Sequence, residues 1–224
     1  MSITIAHVSD THDQPSIVRS ACKSNADVVL ITGDCMDNLG RVSRTHGTIS
    51  RPHEIRYQES WYRKQAKKWA ADLGDKPVIA VRGNHDFIGY TKWLSHYGAT
   101  VYEITDDNPC VELLGQRFAG FRQVPYIAGE WAGETHDLSS FVEKAFSCDP
   151  TILVTHAPPA GILDADHAEV GGYGIGSLAT NLFYGQHRVT HHFFGHAHKG
   201  CGIRDEGGIT FINGAGTMRL IEVG

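Results

Sequence analysis

The chain is marked by short apolar runs that each break off into polar residues. "ITIAHV" runs into Ser9-Asp10, "DVVLIT" into Gly33-Asp34, and "PVIAV" into Arg82-Gly83-Asn84-His85-Asp86. Farther along, "TILVT" runs into His156-Ala157-Pro158-Pro159, "THHFF" into Gly195-His196-Ala197-His198, and "ITFIN" into Gly214-Ala215-Gly216. Short continuous runs of Val, Ile, Leu and Phe read as strands buried on both faces. Ligands of open α/β sheets bind at strand ends. The pattern therefore predicts a series of polar clusters along one edge of a sheet.

Helical periodicity fills the intervals. Residues 15–25, opened by Pro15, fit a first helix, and residues 54–73 a second. In the second, Tyr62, Ala66, Trp69, Ala70 and Leu73 recur at helical spacing, with Lys64, Lys67 and Lys68 largely on the other side, as on a solvated face. Residues 90–98 and 138–147 fit two more helices. Residues 100–126 alternate instead, and "GQRFAGFR" resembles a hairpin strand. Two stretches read as loops: 38–53, carrying Arg41, Arg44 and Arg51, and the glycine-rich 164–177. Both follow polar strand ends and so can border a site, although plain surface connection accounts for any one residue there. No repeat or linker divides the chain, so one domain over residues 1–224 is expected.

Composition narrows the class. With 224 residues and 41% hydrophobic content, the chain can build a sizeable core. A net charge of −5 argues against a protein that coats nucleic acid. Five scattered cysteines without a CxxC pair predict free thiols in a reducing compartment. The N-terminus lacks a basic segment leading into an apolar run, and no apolar stretch approaches the ~20 residues that span a bilayer. A cytoplasmic location without membrane contact is expected. The 14 histidines are unusual, and several neighbour Asp, Asn or Gly.

Taken alone, "SDTHD" after the first run would be an ordinary helix cap. Taken with the other strand ends it joins a set: Asp10, His12, Asp34, Asn84, His85, His156, His196 and His198. Carboxylates, an amide and imidazoles in this mixture suit Mn, Fe, Co, Ni or Zn; calcium would call for oxygens alone, and a structural zinc finger for thiolates. There are too many donors for one tetrahedral ion. The number suits two ions that share a carboxylate and keep open positions.

The order D-x-H, G-D, G-N-H-D, H and G-H-x-H, present here as "DTH", "GDCMD", "GNHD", "THAPP" and "GHAH", resembles the calcineurin-like metallophosphoesterase superfamily. The match runs from about residue 5 to residue 216, and "THAPPAGILD" with the glycine-rich stretch resembles the small single-domain phosphodiesterase branch. The resemblance implies an α/β fold, a four-layer α/β/β/α sandwich of two mixed β-sheets flanked by helices. It implies that Asp10, His12 and His198 hold one metal, that Asn84, His156 and His196 hold the other, and that Asp34 bridges them. His85 would assist the leaving group, and Asp86 would orient its ring. The implied cofactors are two divalent transition-metal ions, Mn foremost, with Fe, Zn, Co or Ni as alternatives. The implied reaction is hydrolysis of a small phosphodiester or nucleotide by in-line attack of a metal-bridging hydroxide.

Departures from the family pattern refine this. Asp37-Asn38-Leu39 stands where Ser/Thr protein phosphatases have Asp-Arg-Gly, and Asp86 where they have Glu, which points away from that branch. Fifty residues separate Asp34 from Asn84, long for the smallest members, and the insertion could bind phosphate through its arginines or serve as scaffold. Two other readings stay open: an Mn-dependent DNA or RNA nuclease, disfavoured by the net charge, and a non-catalytic metal-site scaffold for protein binding. Retention of every expected position, His85 included, favours an enzyme.

Overall fold

The computed structural model describes residues 2–39, 50–127, 130–165 and 174–224. Arg41, Arg44 and Gly171–Gly172 of the two expected loops lie outside the described residues. The first sheet contains β1 (Ile3–Ser9), β2 (Val28–Ile31), β3 (Val78–Ala80), β4 (Val101–Glu103) and β13 (Thr217–Val223), in the order β13-β1-β2-β3-β4. The second contains β5 (Cys110–Leu113), β6 (Gln116–Phe121), β9 (Ile152–Thr155), β10 (His191–Phe194), β11 (Gly202–Glu206) and β12 (Ile209–Asn213), in the order β11-β12-β10-β9-β6-β5. Strands β1 to β4 run parallel, as do β6, β9, β10 and β12, whereas β13, β5 and β11 pair antiparallel at the margins. Both sheets are mixed, as the resemblance implied. A two-stranded ribbon, β7 (Val124–Pro125) with β8 (Glu134–Thr135), stands beside them.

Successive side chains of a strand point to opposite faces, and this divides the all-apolar runs between two cores. Ile3, Ile5, Val28, Leu30, Ile79 and Val81 of the first sheet meet Phe118, Ile152, Val154, Phe193 and Ile212 of the second. The residues that alternate with them, Ala6, Val8, Val29, Ile31, Val78 and Ala80, pack under helices α1 (Pro15–Lys23), α2 (Arg51–Leu73) and α3 (Thr91–His96). On the far side, Phe121, Leu153, Phe194 and Phe211 pack under α4 (Ser139–Ser147) and α5 (Gly176–Tyr184). The layers are therefore α/β/β/α.

Helix α2 begins at Arg51, three residues before the periodicity suggested, because Pro52 fits a first helical turn. It takes residues 51–53 from the expected loop, and α5 likewise takes 176–177. The buried face of α2 holds Tyr62, Ala66, Trp69, Ala70 and Leu73 as expected, and adds the polar Glu54 and Gln58.

One expectation fails outright. Cys110 and Cys148 form a disulfide, their Cα atoms 6.1 Å apart. The partners lie 38 residues apart in sequence, and only the packing of α4 beside β6, the neighbour of β5, brings them together. Cys22, Cys35 and Cys201 are free thiols. The bond removes the argument that scattered thiols gave for a reducing compartment. No helix among the described residues is long and apolar enough to cross a membrane.

Candidate metal centre

Five parallel strands, three from one sheet and two from the other, deliver the polar clusters to one place. Asp10 and His12 follow β1, Asp34 follows β2, Asn84 and His85 follow β3, His156 follows β9, and His196 and His198 follow β10. Backbone bonds tie the first two ends together: Asp10 N–H donates to Gly33 O and His12 N–H to Asp34 O, each at 2.9 Å. Asp10, His12, Asp34 and His196 all have positive φ, at 52°, 42°, 54° and 66°. Non-glycine residues pay a steric cost in that region, and such strain gathers at functional sites. The cost here aims each side chain back across the strand end.

The donor atoms converge in three overlapping groups: Asp10 with His12 and His198, His12 with Asp34 and His85, and Asp10 with Asp34 and His156. Within each group one ligand atom per residue lies within 4.8 Å of the others. Asn84 enters through its Oδ1, 3.0 Å from His156 Nε2. That same nitrogen lies 3.3 Å from Asp34 Oδ2, and His198 Nε2 lies 3.2 Å from Asp10 Oδ1. His196 donates its backbone N–H to Asp10 Oδ2 at 2.8 Å, and its ring sits 5.0 Å from that of His156. All seven expected ligand positions thus gather at one centre. His85 also falls in a possible ligand group, although the resemblance places it outside the ligand set.

Electrostatics favour a cation here. Burial opposes ionisation of Asp10 and Asp34, but His198 and His156 at Asp10, and His156 and His85 at Asp34, outweigh it and hold both carboxyls below their ordinary range. Two buried, ionised carboxylates side by side call for positive charge. Burial also pulls the His156 imidazole down, yet Asp34 outweighs this and lifts it to about 9. Its Nδ1 donates to Thr32 O at 2.7 Å, which leaves Nε2 to face Asp34 and Asn84. That is the arrangement by which an outer hydrogen bond fixes a metal-ligating histidine. His196 is pushed down to about 3, by burial first and by His156 second, so it stands neutral, whereas His156 would release its proton on binding a cation. Mixed N and O donors with ionised carboxylates fit divalent transition metals.

Glycines make the close approach possible. A Cβ on Gly83 would overlap the Asp34 carboxylate, and one on Gly195 would overlap Ser9 Oγ and Asp10 Oδ2.

Asp86 departs from its expected role of orienting the His85 ring. Its Oδ2 accepts the backbone N–H groups of Asp34 at 2.7 Å and Gly83 at 2.9 Å, and the Tyr90 hydroxyl at 2.7 Å. The turn directs the carboxylate back under the loop, so Asp86 braces the backbone of the centre. Burial, and then the Asp34 charge, push its carboxyl up to about 7. The His85 ring instead packs at a tilt against Trp131, centroids 3.9 Å apart and planes 42° apart, and its backbone N–H donates to Asp34 Oδ1 at 2.8 Å. The His85 carbonyl accepts from Gln58 Nε2 at 2.6 Å and Asn38 Nδ2 at 2.9 Å. Gln58, Asn38, Tyr90 and Trp131 were not expected at the site. Gln58 carried a signal, a polar residue four positions before Tyr62 on the apolar face of a helix. Trp131 carried none.

The comparisons agree with this geometry. The family model for calcineurin-like phosphoesterases matches residues 3–200. A UPF0046 protein of Caenorhabditis elegans is 23% identical over 95% of this chain and 69% of its own length. Human metallophosphoesterase domain-containing protein 1 is 24% identical over 92% of this chain, which spans 64% of that relative. Among solved structures, the protein TT1561 of Thermus thermophilus shares the fold with a TM-score of 0.54 at 12% identity, over 95% of this chain and 89% of that one. The chain belongs to the calcineurin-like phosphoesterase family.

Proposed function

We propose that this protein is a dinuclear-metal phosphoesterase of one domain that prefers small phosphodiesters, nucleotides among them, to phosphomonoesters. The observation that carries the reading is the convergence of Asp10, His12, Asp34, Asn84, His156, His196 and His198 at the ends of parallel strands from two sheets. Asp10, His12 and His198 would hold one ion, Asn84, His156 and His196 the other, and Asp34 would be shared by both. Two divalent ions, manganese first, would supply an acidified water and neutralise phosphoryl oxygens.

The chain's own residues then divide the remaining work. His85 sits at the rim beside His12, ring centroids 5.2 Å apart, and delivers a proton to the leaving oxygen. Trp131 supports the face of that ring, and Gln58 and Asn38 hold its backbone. Asp86 keeps the Asp34 and Gly83 amides in register. The diester preference is supported by the sequence departures from protein phosphatases at Asp37-Asn38-Leu39 and Asp86 and by the resemblance of "THAPPAGILD" to the small phosphodiesterase branch.

The test reloads metal-stripped protein with Mn²⁺ and compares bis-p-nitrophenyl phosphate with p-nitrophenyl phosphate, for wild type and His85→Ala. Turnover of the diester above the monoester is expected, and His85→Ala should slow an alkyl-ester diester by ~10²-fold or more, well beyond its effect on the p-nitrophenyl ester. Bound metal with no turnover of either compound would overturn the reading and favour a binding scaffold.

A further inference from the structure

A second feature lies outside the metal centre. The outer side of α2 and the adjoining α3 enclose an open groove of about 840 Å³. Arg56, Ser60, Arg63, Lys64 and Lys67 recur along α2 at three- and four-residue steps, which places them on one face. Lys92 of α3 faces them. Trp93 and Tyr97, both half-buried, provide aromatic surface within the groove. The lysines read from the sequence as a solvated face thus belong in part to a concave surface.

Charge separates this groove from the rest of the molecule. It gathers five cations, Arg56, Arg63, Lys64, Lys67 and Lys92, against one carboxylate, Glu59. The chain as a whole carries −5. Only Lys92 is neutralised, by Glu59; Arg56, Arg63, Lys64 and Lys67 form no ion pair among the described residues. The Arg63 guanidinium lies 5.2 Å, and the Lys92 ammonium 5.1 Å, from the centre of the Trp93 ring. Like charges held this close repel, and a concave wall focuses their field on an anion.

The groove is open on its outer side, and its volume lies within the roughly 300–1,000 Å³ of small-ligand pockets. The basic face spans twelve residues of α2, Arg56 to Lys67, about 16 Å, which leaves room for a run of phosphates. The aromatic wall beside it offers a stacking surface for a base. None of the lining residues belongs to the strand-end cluster, and Gln58, the α2 residue that holds the His85 carbonyl, lies between groove positions without being one.

We propose that this groove is a second ligand site, for a nucleoside polyphosphate, with phosphates on Arg56, Arg63, Lys64 and Lys67 and the base against Trp93 and Tyr97. The site is independent of the reaction at the metal centre. The test acylates surface lysines of the metal-loaded protein with and without adenosine 5′-(β,γ-imido)triphosphate at excess Mg²⁺, and reads each lysine by mass spectrometry. Saturable protection of Lys64 and Lys67, with Lys23 and Lys144 unchanged as internal references, is expected. Lys64→Glu/Lys67→Glu should weaken nucleotide binding to metal-stripped protein at least tenfold while bis-p-nitrophenyl phosphate turnover of the reloaded protein stays within twofold. Trp93→Ala should weaken the nucleotide more than inorganic tripolyphosphate. Unprotected lysines would overturn the proposal. So would equal affinity for nucleotide and tripolyphosphate, which marks a bare anion patch, or protection of these lysines only by phosphatidylserine vesicles, which marks a membrane contact.

Discussion

The carboxylate of Asp86 accepts the backbone N–H of Asp34 across 2.7 Å, although 52 residues of sequence separate them. The same oxygen accepts Gly83 N–H and Tyr90 O–H, and the Tyr90 oxygen in turn accepts Cys35 N–H at 3.1 Å. One buried acid thus joins the loops after β2 and β3. Removing it strands several donors, each costing roughly 1–3 kcal/mol when buried without an acceptor. Asp86→Ala is expected to lose about 3 kcal/mol or more in urea unfolding, and Tyr90→Phe about 1–2 kcal/mol. Losses below ~0.5 kcal/mol in both, the scale of ordinary surface changes, would rule out the bracing role.

Gly83→Ala tests the close approach at the same loop. The added methyl would enter the space of the Asp34 carboxylate, which is fixed by His85 N–H and held beside His156. The fold should survive, because the displacement is confined to a loop end. Metal content by elemental analysis should fall, and diester turnover should fall by ~10²-fold or more, the scale of misplaced catalytic geometry. Wild-type metal content and turnover in this variant would show that Asp34 has room to move.

How far the sequence reaches is clear from these residues. The strand ends were legible because buried parallel strands leave apolar runs, and the donors after them are of types that turns alone do not explain. The two sheets were not legible from periodicity, since the strands that carry the site are apolar on both faces; they came with the family resemblance. Asp86 was misplaced because the resemblance assigned its carboxylate to the His85 ring, whereas the turn folds it back to Gly83 N–H, three residues earlier. The Cys110–Cys148 pairing was hidden by sequence distance, and Trp131 by a setting of polar and glycine residues with no periodicity.

Trp131 supplies the next expectation. Its half-buried ring lies against His85, and its carbonyl accepts from Arg51 Nη2 at 3.2 Å. A ring pair of this kind contributes about 0.5–1.5 kcal/mol beyond area burial, and about 1.4 kcal/mol is tenfold in rate. Trp131→Ala should therefore lower kcat for the diester by up to about tenfold with metal content unchanged, and Trp131→Phe should restore most of it. A loss of metal in Trp131→Ala would instead assign the ring to the architecture of the centre.

Two further histidines govern acid stability. His7 pairs with Thr32 Oγ1 and His192 with Thr155 Oγ1, each at 2.8 Å, just before Gly33-Asp34 and His156 respectively. Burial, then Arg219, pushes His7 down to about 3; burial, then His7 itself, pushes His192 down to about 3. The native chain keeps both rings neutral where the unfolded chain, titrating near 6.5, takes up protons. Between those values the unfolded state binds more protons, so stability falls as pH falls. The slope is about 1.4 kcal/mol per pH unit for each ring, present below pH ~6.5 and absent above it. Urea midpoints at pH 7 and pH 5, at matched metal content, should show this loss in wild type. His7→Gln/His192→Gln keeps a hydrogen-bonding amide at each threonine and cannot titrate, so its midpoint should move far less over the same interval. Parallel pH profiles for the two proteins would remove both histidines from the acid response.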